Sequence, residues 1–251
     1  ANPVQPSLRP QQPSSEVNTP SNPFTPQEQK GALNSTELAQ LKALAQSGPQ
    51  TEEDLARYEA FRTRKGLSSE EIDLLNAFWR YVPEFKKSLY YQALEAPRKP
   101  FTADQLRMLK LVNAARAEHG LKPVKLSPAL CEGAEIRARE TGEALQGINT
   151  LADFEAKEAA GWNPHSRLDG SHPNTLMNDL NLSQFKTYIR FNENLATRFY
   201  AKNYLSSEAF NGWMNSPGHR ANILNPSNKF MGLAYSAGDK DNQHWVQIFA
   251  I

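Results

Sequence analysis

The chain has 251 residues, enough for one large domain or for a domain with appended segments. Its formal net charge is +1, which argues against a surface built to bind nucleic acid or an acidic membrane. No apolar run approaches the roughly 20 residues that span a bilayer, so we predict no transmembrane segment. With one cysteine, Cys131, the chain cannot form an internal disulfide. Cys131 lies on the apolar face of a predicted helix, where we expect a small buried side chain and not a nucleophile.

The N-terminal segment, residues 1–30, is rich in Pro, Gln, Ser and Asn, and Phe24 is its one aromatic residue. Such a composition cannot bury a core, so we interpret this segment as a disordered tether. The opening residues Ala-Asn-Pro-Val-Gln-Pro contain no signal peptide. They resemble a mature N-terminus left after processing, or an arbitrary start of the chain. We therefore expect an extracytoplasmic protein, secreted or held at the cell envelope.

Residues 31–100 are predicted to form a separate helical region. Similar helix starts recur 34 residues apart, which is the period of a tetratricopeptide repeat, but the small-residue positions of that motif are not evident. We expect a helical appendage with a packing role or with a protein partner of its own. Its first three helices are predicted to begin at Ser35, Thr51 and Ser68.

From residue 101 the pattern changes to mixed helix and strand. A helix capped by Thr102–Gln105 is followed by a second helix that begins at Ser127. Residues 230–235 and 244–251 are typical of two strands joined by a polar turn. Because helices precede strands and no strand–helix–strand order repeats, we predict an α+β fold with an antiparallel sheet.

The most informative segment runs from Trp213 to Leu224. Apolar residues at helical spacing precede a Ser-Pro-Gly sequence, in which Pro217 and Gly218 are expected to end the helix and hold His219 on a loop. A histidine fixed beside a buried helix is a group that binds metal or transfers protons. The alternative is a histidine that closes the turn through a backbone hydrogen bond.

Several ordered motifs of residues 101–251 resemble the CAP superfamily (cysteine-rich secretory proteins, antigen 5, pathogenesis-related 1), in particular its bacterial SCP-like branch. The resemblance implies a three-layer α-β-α sandwich with a central antiparallel sheet and a cleft on one side. It does not extend to residues 1–100, so the sandwich is expected to follow the helical appendage. The matching motifs are Leu111–Leu121, Leu126–Leu130, His165–Gly170, Asn192–Ala196, Trp213–Leu224 and Trp245–Phe249.

This resemblance places the family's cleft groups on His165, Glu193 and His219. Animal and fungal members have a further glutamate at the position that is Ser216 here. This difference weakens any proposal that needs paired carboxylates for acid/base chemistry. Two imidazoles and one carboxylate are still a recurring ligand set for a divalent metal, Zn²⁺ or Mg²⁺. The alternative is that Glu193 accepts hydrogen bonds and fixes the cleft loops. The residues expected to support the cleft are Asp169, Asn194, Ser216 and Arg220.

The other three histidines are expected to lie outside the predicted metal-ligand set. His119 ends a helix, where a cation is favourable. His172 lies in an exposed polar turn, within reach of His165. His244 alternates with Trp245 on a strand, and we expect it to face outward.

Two classes of function follow from the resemblance. The first is a binding module whose His/Glu-lined cleft takes a lipid, a glycan or a peptide, with or without a divalent metal. The second is a hydrolase, in which a metal-bound water or His219 with Glu193 activates the attack and His165 completes the catalytic set. No nucleophile elbow or HExxH motif supports hydrolysis, and the missing second glutamate favours binding. A third alternative is an interaction protein that works through helices in residues 33–96.

Overall fold

The computed structural model describes residues 32–201 and 204–251. The chain divides into two compact units, residues 1–82 and residues 83–251. The predicted tether, residues 1–30, lies outside the described residues. Within the described ranges, no helix combines the length and the apolar character that a bilayer crossing requires.

The described part of the first unit consists of helices that enclose a small apolar core. They are α1 (Ser35–Ser47), α2 (Glu52–Arg62) and α3 (Ser69–Trp79). Each begins with a capping box, in which the N-cap side chain and an acidic side chain three residues later accept hydrogen bonds from each other's backbone N–H groups. Thr51 and Ser68 are N-caps as predicted, whereas the first cap is Asn34 and not Ser35. The core includes Leu41, Tyr58, Phe61, Leu75 and Phe78.

The second unit is a three-layer sandwich with helices on both faces of one sheet, which confirms the predicted α+β class and α-β-α layering. Its helices are α4 (Val82–Glu95, whose first residue belongs to the first unit), α5 (Ala103–Glu118), α6 (Pro128–Ala144), α7 (Leu151–Ala159), α8 (Leu176–Asp179), α9 (Ser206–Asn215) and α10 (Pro217–Ile223). Its strands are β1 (Lys125–Leu126), β2 (Phe191–Arg198), β3 (Phe230–Ala237) and β4 (Gln243–Ala250). Short 3₁₀ turns lie at Pro173–Thr175, Ser183–Phe185 and Asp239–Asp241.

The strand order of the sheet is β1-β3-β4-β2. β4 pairs antiparallel with β3 on one side and with β2 on the other, along its whole length. One detail departs from the predicted antiparallel sheet, because the two-residue β1 runs parallel to β3. Since β2 stands last in the strand order, it is an edge strand. It carries the motif Asn192–Ala196.

Side-chain alternation along β3 and β4 builds a separate core on each face of the sheet. Val246 and Ile248 of β4 face α6, whereas Trp245 and Phe249 face α5 and α9. The core on the α6 face also includes Leu130, Ala134, Leu176 and Phe230. The core on the opposite face also includes Met108, Val112, Trp213 and Met231.

Helix α4 belongs to the core on the α6 face. Tyr90 and Leu94 are fully buried there, and the Ser127 hydroxyl at the start of α6 donates a hydrogen bond to the Leu94 carbonyl at 2.6 Å. The second compact unit thus begins at residue 83, because the apolar face of α4 packs with the sandwich.

Helix α6 packs directly against the backbone of Gly232 in β3. A Cβ atom at this position would lie 2.1 Å from the carbonyl carbon of Leu130 and 2.3 Å from its oxygen. Both are backbone atoms of a packed helix, so neither can rotate away. Farther along the helix, the Ser236 hydroxyl donates to the Ala138 carbonyl at 2.6 Å. Gly232 thus determines how near α6 can lie to the sheet.

His244 is buried, so the expectation that it faces outward is wrong. Its strand β4 lies between β3 and β2 and is covered by helices on both faces, which leaves no solvent-facing side. The Nδ1 atom of His244 lies 3.1 Å from Oγ1 of Thr197 on β2. Burial lowers the pKa of His244 from 6.5 to about 4, and the ring is therefore neutral at neutral pH.

We expect Gly232→Ala to lower the free energy of unfolding by at least about 2 kcal/mol, because the added methyl group must displace α6. Urea denaturation measures this loss. Gly212→Ala in α9 is the control, since its Cβ would meet only the Tyr204 hydroxyl at 3.7 Å and alanine favours a helix. Equal losses in the two variants would show that the approach of α6 at Gly232 does not limit stability.

Buried, neutral His244 should make stability depend on pH. Between the pKa of about 4 in the fold and the ordinary value of 6.5, the unfolded chain binds more protons, so unfolding becomes easier as the pH falls through this range. The expected loss between pH 7 and pH 5 is about 2 kcal/mol. His244→Asn keeps an amide near Thr197 but does not titrate, and it should remove this loss in urea titrations. An unchanged pH dependence in the variant would contradict the assignment.

Candidate functional site

The candidate site lies along the edge strand β2. Neighbouring residues of a strand point to opposite faces, so Glu193 faces the α6 side and Asn194 faces the α10 side. This single strand therefore carries side chains that contact both helical layers.

Glu193 is held by a buried arginine of α6. Arg137 donates from Nε to Oε2 of Glu193 at 2.8 Å and from Nη2 to Oε1 at 3.3 Å. The side chains of Arg137 and Glu193 are only 1% and 6% exposed. The same guanidinium donates to Glu140 Oε2 at 2.9 Å and to the carbonyl of Pro164 at 3.0 Å. One buried cation thus balances two carboxylates and holds the loop that contains His165.

Arg167 links Glu140 of α6 to Asp179 of α8. Its Nη2 lies 2.6 Å from Oε1 of Glu140, and its Nη1 lies 2.6 Å from Oδ2 of Asp179 in α8. Charges therefore alternate from Asp179 through Arg167, Glu140 and Arg137 to Glu193. We call these five residues the ionic chain; it contains three carboxylates and two guanidinium groups.

His165 lies at the cleft end of the ionic chain. Its Nδ1 is 3.0 Å from Oε1 of Glu193. Burial by itself would raise the pKa of Glu193, but hydrogen bonds from His165 and Arg137 and the charge of Arg137 outweigh it and lower the pKa below 4.5. Because the ionised carboxylate only accepts hydrogen bonds, Nδ1 of His165 carries the hydrogen. Nε2 is the ring nitrogen that remains for a ligand.

His219 lies in the first turn of a helix, so the prediction that it lies on a loop is wrong. Pro217 is the first residue of α10, a position where its fixed φ and its missing N–H are both tolerated. Asn194 Nδ2 donates to the His219 carbonyl at 3.2 Å, and Asn222 Nδ2 donates to Asn194 Oδ1 at 2.8 Å. These amides position α10 against β2.

His165 and His219 line a common cavity of about 340 Å³. Its walls are largely apolar, with the Phe154 ring 5.6 Å from the Trp162 ring and 6.5 Å from the Phe199 ring. Burial lowers the pKa of His219 below 6.5, and the charge of His165 adds to the effect. The remaining residues of this aromatic cavity are Thr141, Leu151, Glu158, Pro164, Leu195 and Thr197.

A second cavity of about 270 Å³ also includes His165 in its lining. It is more polar than the aromatic cavity, and His172 is exposed at its wall as the sequence predicted. His165 therefore contributes to both cavities. The other residues of the second cavity are Pro173, Leu176, Phe191, Asn192, Glu193, Asn222 and Ile248.

The four predicted supporting residues make different kinds of contact in the structure. Asn194 contacts the backbone of His219, and none of the four lines either cavity. Asp169 is exposed and accepts the backbone N–H of Ser171 at 2.8 Å. Ser216 precedes α10, and its carbonyl accepts the Arg220 N–H at 2.8 Å. The Arg220 side chain extends to His119, with 3.4 Å between Nη2 and Nε2.

Arg137, Glu140 and Arg167 were not predicted. One signal was present, because Arg137 falls seven residues after Leu130 on the apolar face of α6, and a charge on a buried face is usually paired. Nothing in the sequence identified the partners. Arg137 and Glu193 are 56 residues apart, and Arg167 and Glu140 are 27 apart.

The predicted metal set, His165, Glu193 and His219, has its carboxylate paired with an arginine of the protein. Across residues 32–201 and 204–251, no group of three or more His, Cys, Asp or Glu side chains is arranged to hold a metal ion. Each Glu193 oxygen already accepts a hydrogen bond from Arg137, and His165 adds another to Oε1. Both oxygens of the Glu193 carboxylate are therefore hydrogen-bonded to side chains of the protein.

A family model matches residues 109–249, and its description is CAP: Cysteine-rich secretory protein family. The chain belongs to this family. The similarity inferred from the sequence motifs is thereby confirmed. One relative is the Uncharacterized protein YkwD of Bacillus subtilis (strain 168), which is 27% identical over 148 residues, covering 59% of this chain and 47% of that protein. The chain thus spans about half the length of this curated relative.

Two solved structures are also similar to parts of the chain. One is an outer surface protein from Borrelia burgdorferi, with 16% identity over 61% of this chain and 96% of that chain and a TM-score of 0.39. The other is an extracellular protein containing a SCP domain from Bacillus anthracis str. Ames, with 18% identity over 61% of this chain and 45% of that chain and a TM-score of 0.41. Membership of the CAP family follows from the match over residues 109–249.

We expect Glu193→Gln in the CAP domain to lower the free energy of unfolding by roughly 2–3 kcal/mol, because it removes half of the counter-charge of buried Arg137. Urea denaturation at pH 7 measures the loss. Asp169→Asn is the control, since this exposed side chain can still accept the Ser171 N–H as an amide, and stability should be essentially unchanged. A Glu193→Gln variant as stable as the control would show that the ionic chain does not hold the cleft together.

Proposed function

We propose that the CAP domain is an exported, non-catalytic module that binds a small amphipathic molecule of the lipid class at the β2 edge. The observation that carries this proposal is the lining of the aromatic cavity. Apolar walls surround two imidazoles, and a largely apolar cavity with a few convergent polar groups is typical of a small-molecule site.

The aromatic walls favour a lipid over a glycan or a peptide. Phe154, Trp162 and Phe199 contribute large apolar surfaces whose burial by a hydrocarbon chain is favourable. Leu151 and Leu195 extend this surface. Sugars and extended peptides would need more hydrogen-bonding groups than these walls provide.

The two imidazoles are the groups we assign to the polar end of the ligand. Nε2 of His165 is the ring nitrogen available to a ligand, because Glu193 occupies Nδ1. His219, whose pKa is lowered, is neutral at neutral pH and offers one donor and one acceptor. A carboxylic acid, which can share its proton with His165, matches this pair.

Binding is better supported than the alternative of a His/Glu-assisted hydrolase. Both oxygens of Glu193 are hydrogen-bonded within the protein. The hydroxyl groups that line the aromatic cavity also have partners, since Thr141 donates to the Arg137 carbonyl at 2.9 Å and Thr197 lies 3.1 Å from His244. A nucleophile needs an effective base within about 3 Å. The partner of Thr141 is a backbone carbonyl, and His244 beside Thr197 is a weak base because burial lowers its pKa to about 4.

We expect the full chain to bind dodecanoate one-to-one in titration calorimetry. Phe154→Ala should weaken binding at least about tenfold, because it removes an aromatic wall of the cavity. Tyr235→Ala is the matched control, since Tyr235 is a half-exposed aromatic residue that stacks on Trp245 and lines neither cavity. Its affinity should equal that of the wild type.

Absence of dodecanoate binding, or equal weakening in both variants, would contradict a lipid-class ligand in the aromatic cavity. A parallel assay with p-nitrophenyl dodecanoate tests the alternative function. Ester turnover that disappears in His165→Ala would support a hydrolase instead of a binding module.

A further inference from the structure

The cleft of this chain contains a fixed positive charge where a divalent metal ion would be expected from the family's histidine and glutamate positions. His165, Glu193 and His219 occupy those positions, and Arg137 pairs with the carboxylate among them. The guanidinium donates to both Glu193 oxygens, at 2.8 and 3.3 Å.

We infer that Arg137 is a built-in counter-cation that takes the place of a divalent metal ion, so that the cleft has no high-affinity site for such ions. The role of a cation here is to neutralise buried Glu193 and to keep it ionised while it orients His165. Arg137 performs both tasks through the contacts described above.

A metal ion could reach Glu193 only beside Arg137 or by displacing it. Beside it, two like charges would share a poorly solvated site, which is electrostatically unfavourable. The guanidinium cannot relieve this repulsion by losing its proton, because an arginine side chain stays protonated in proteins.

Displacement of Arg137 is opposed by the ionic chain behind it. Glu140 accepts from Arg137 and from Arg167, and Arg167 pairs in turn with Asp179. Moving the guanidinium would therefore leave Glu140 with a single counter-charge and would break the hydrogen bond to the Pro164 carbonyl. The two histidines alone provide fewer ligands than a typical zinc site.

Zn²⁺ titration calorimetry on the full chain tests this inference. In the wild type we expect no one-to-one binding tighter than about 100 μM. Arg137→Met, of similar length but uncharged, should bind Zn²⁺ at least about tenfold more tightly, and adding His165→Ala should abolish that gain. Arg137→Lys keeps the positive charge and should behave as the wild type does.

Circular dichroism and thermal unfolding verify that each variant is folded. Since Arg137→Met leaves Glu140 and Glu193 without their shared cation, Arg137→Met with Glu140→Gln serves if the single variant does not fold. Tight, His165-dependent Zn²⁺ binding by the wild type would overturn the inference, and so would folded Arg137→Met proteins with no gain in affinity. If neither variant folds, the wild-type titration decides alone. The outcome is independent of the dodecanoate experiment, which contains no metal.

Discussion

The buried ion pair between Arg137 and Glu193 joins the helical layer to the edge of the sheet. A buried charge is tolerated only when it is fully paired and hydrogen-bonded, which explains why the pair extends into a chain of five alternating charges. The approach of α6 to Gly232 brings the arginine within reach of β2. The position of His165 depends on both of these constraints.

The opposite side of the cleft is held by different contacts. Asn194 binds the first turn of α10, and buried Arg116 donates to the Ile223 carbonyl at 2.8 Å at the other end of that helix, where a cation is favourable. His219 is thus positioned by α10 and His165 by the ionic chain. The two imidazoles line a common cavity with largely apolar walls at the edge of β2. Glu193 lines the second cavity, and its charge is paired with Arg137.

Local sequence patterns determined much of the fold. The helix starts at Thr51, Ser68, Thr102 and Ser127 depend on hydrogen bonds within one turn, and strands β3 and β4 depend on apolar residues close together in the chain. Such features need no knowledge of distant residues, and they sufficed to predict the α+β class. The family motifs added the three cleft positions, because several of them occur in one order along the chain.

The sequence by itself therefore determined the fold class, the family and the residues around which the cleft is built. Only the tertiary structure decided how those residues are used. Glu193 meets Arg137 across 56 residues, His244 is buried because its strand has a neighbour on each side, and Pro217 begins a helix because α10 packs against β2. Each of these outcomes depends on which elements become neighbours in space, and spacing along the chain does not contain that information.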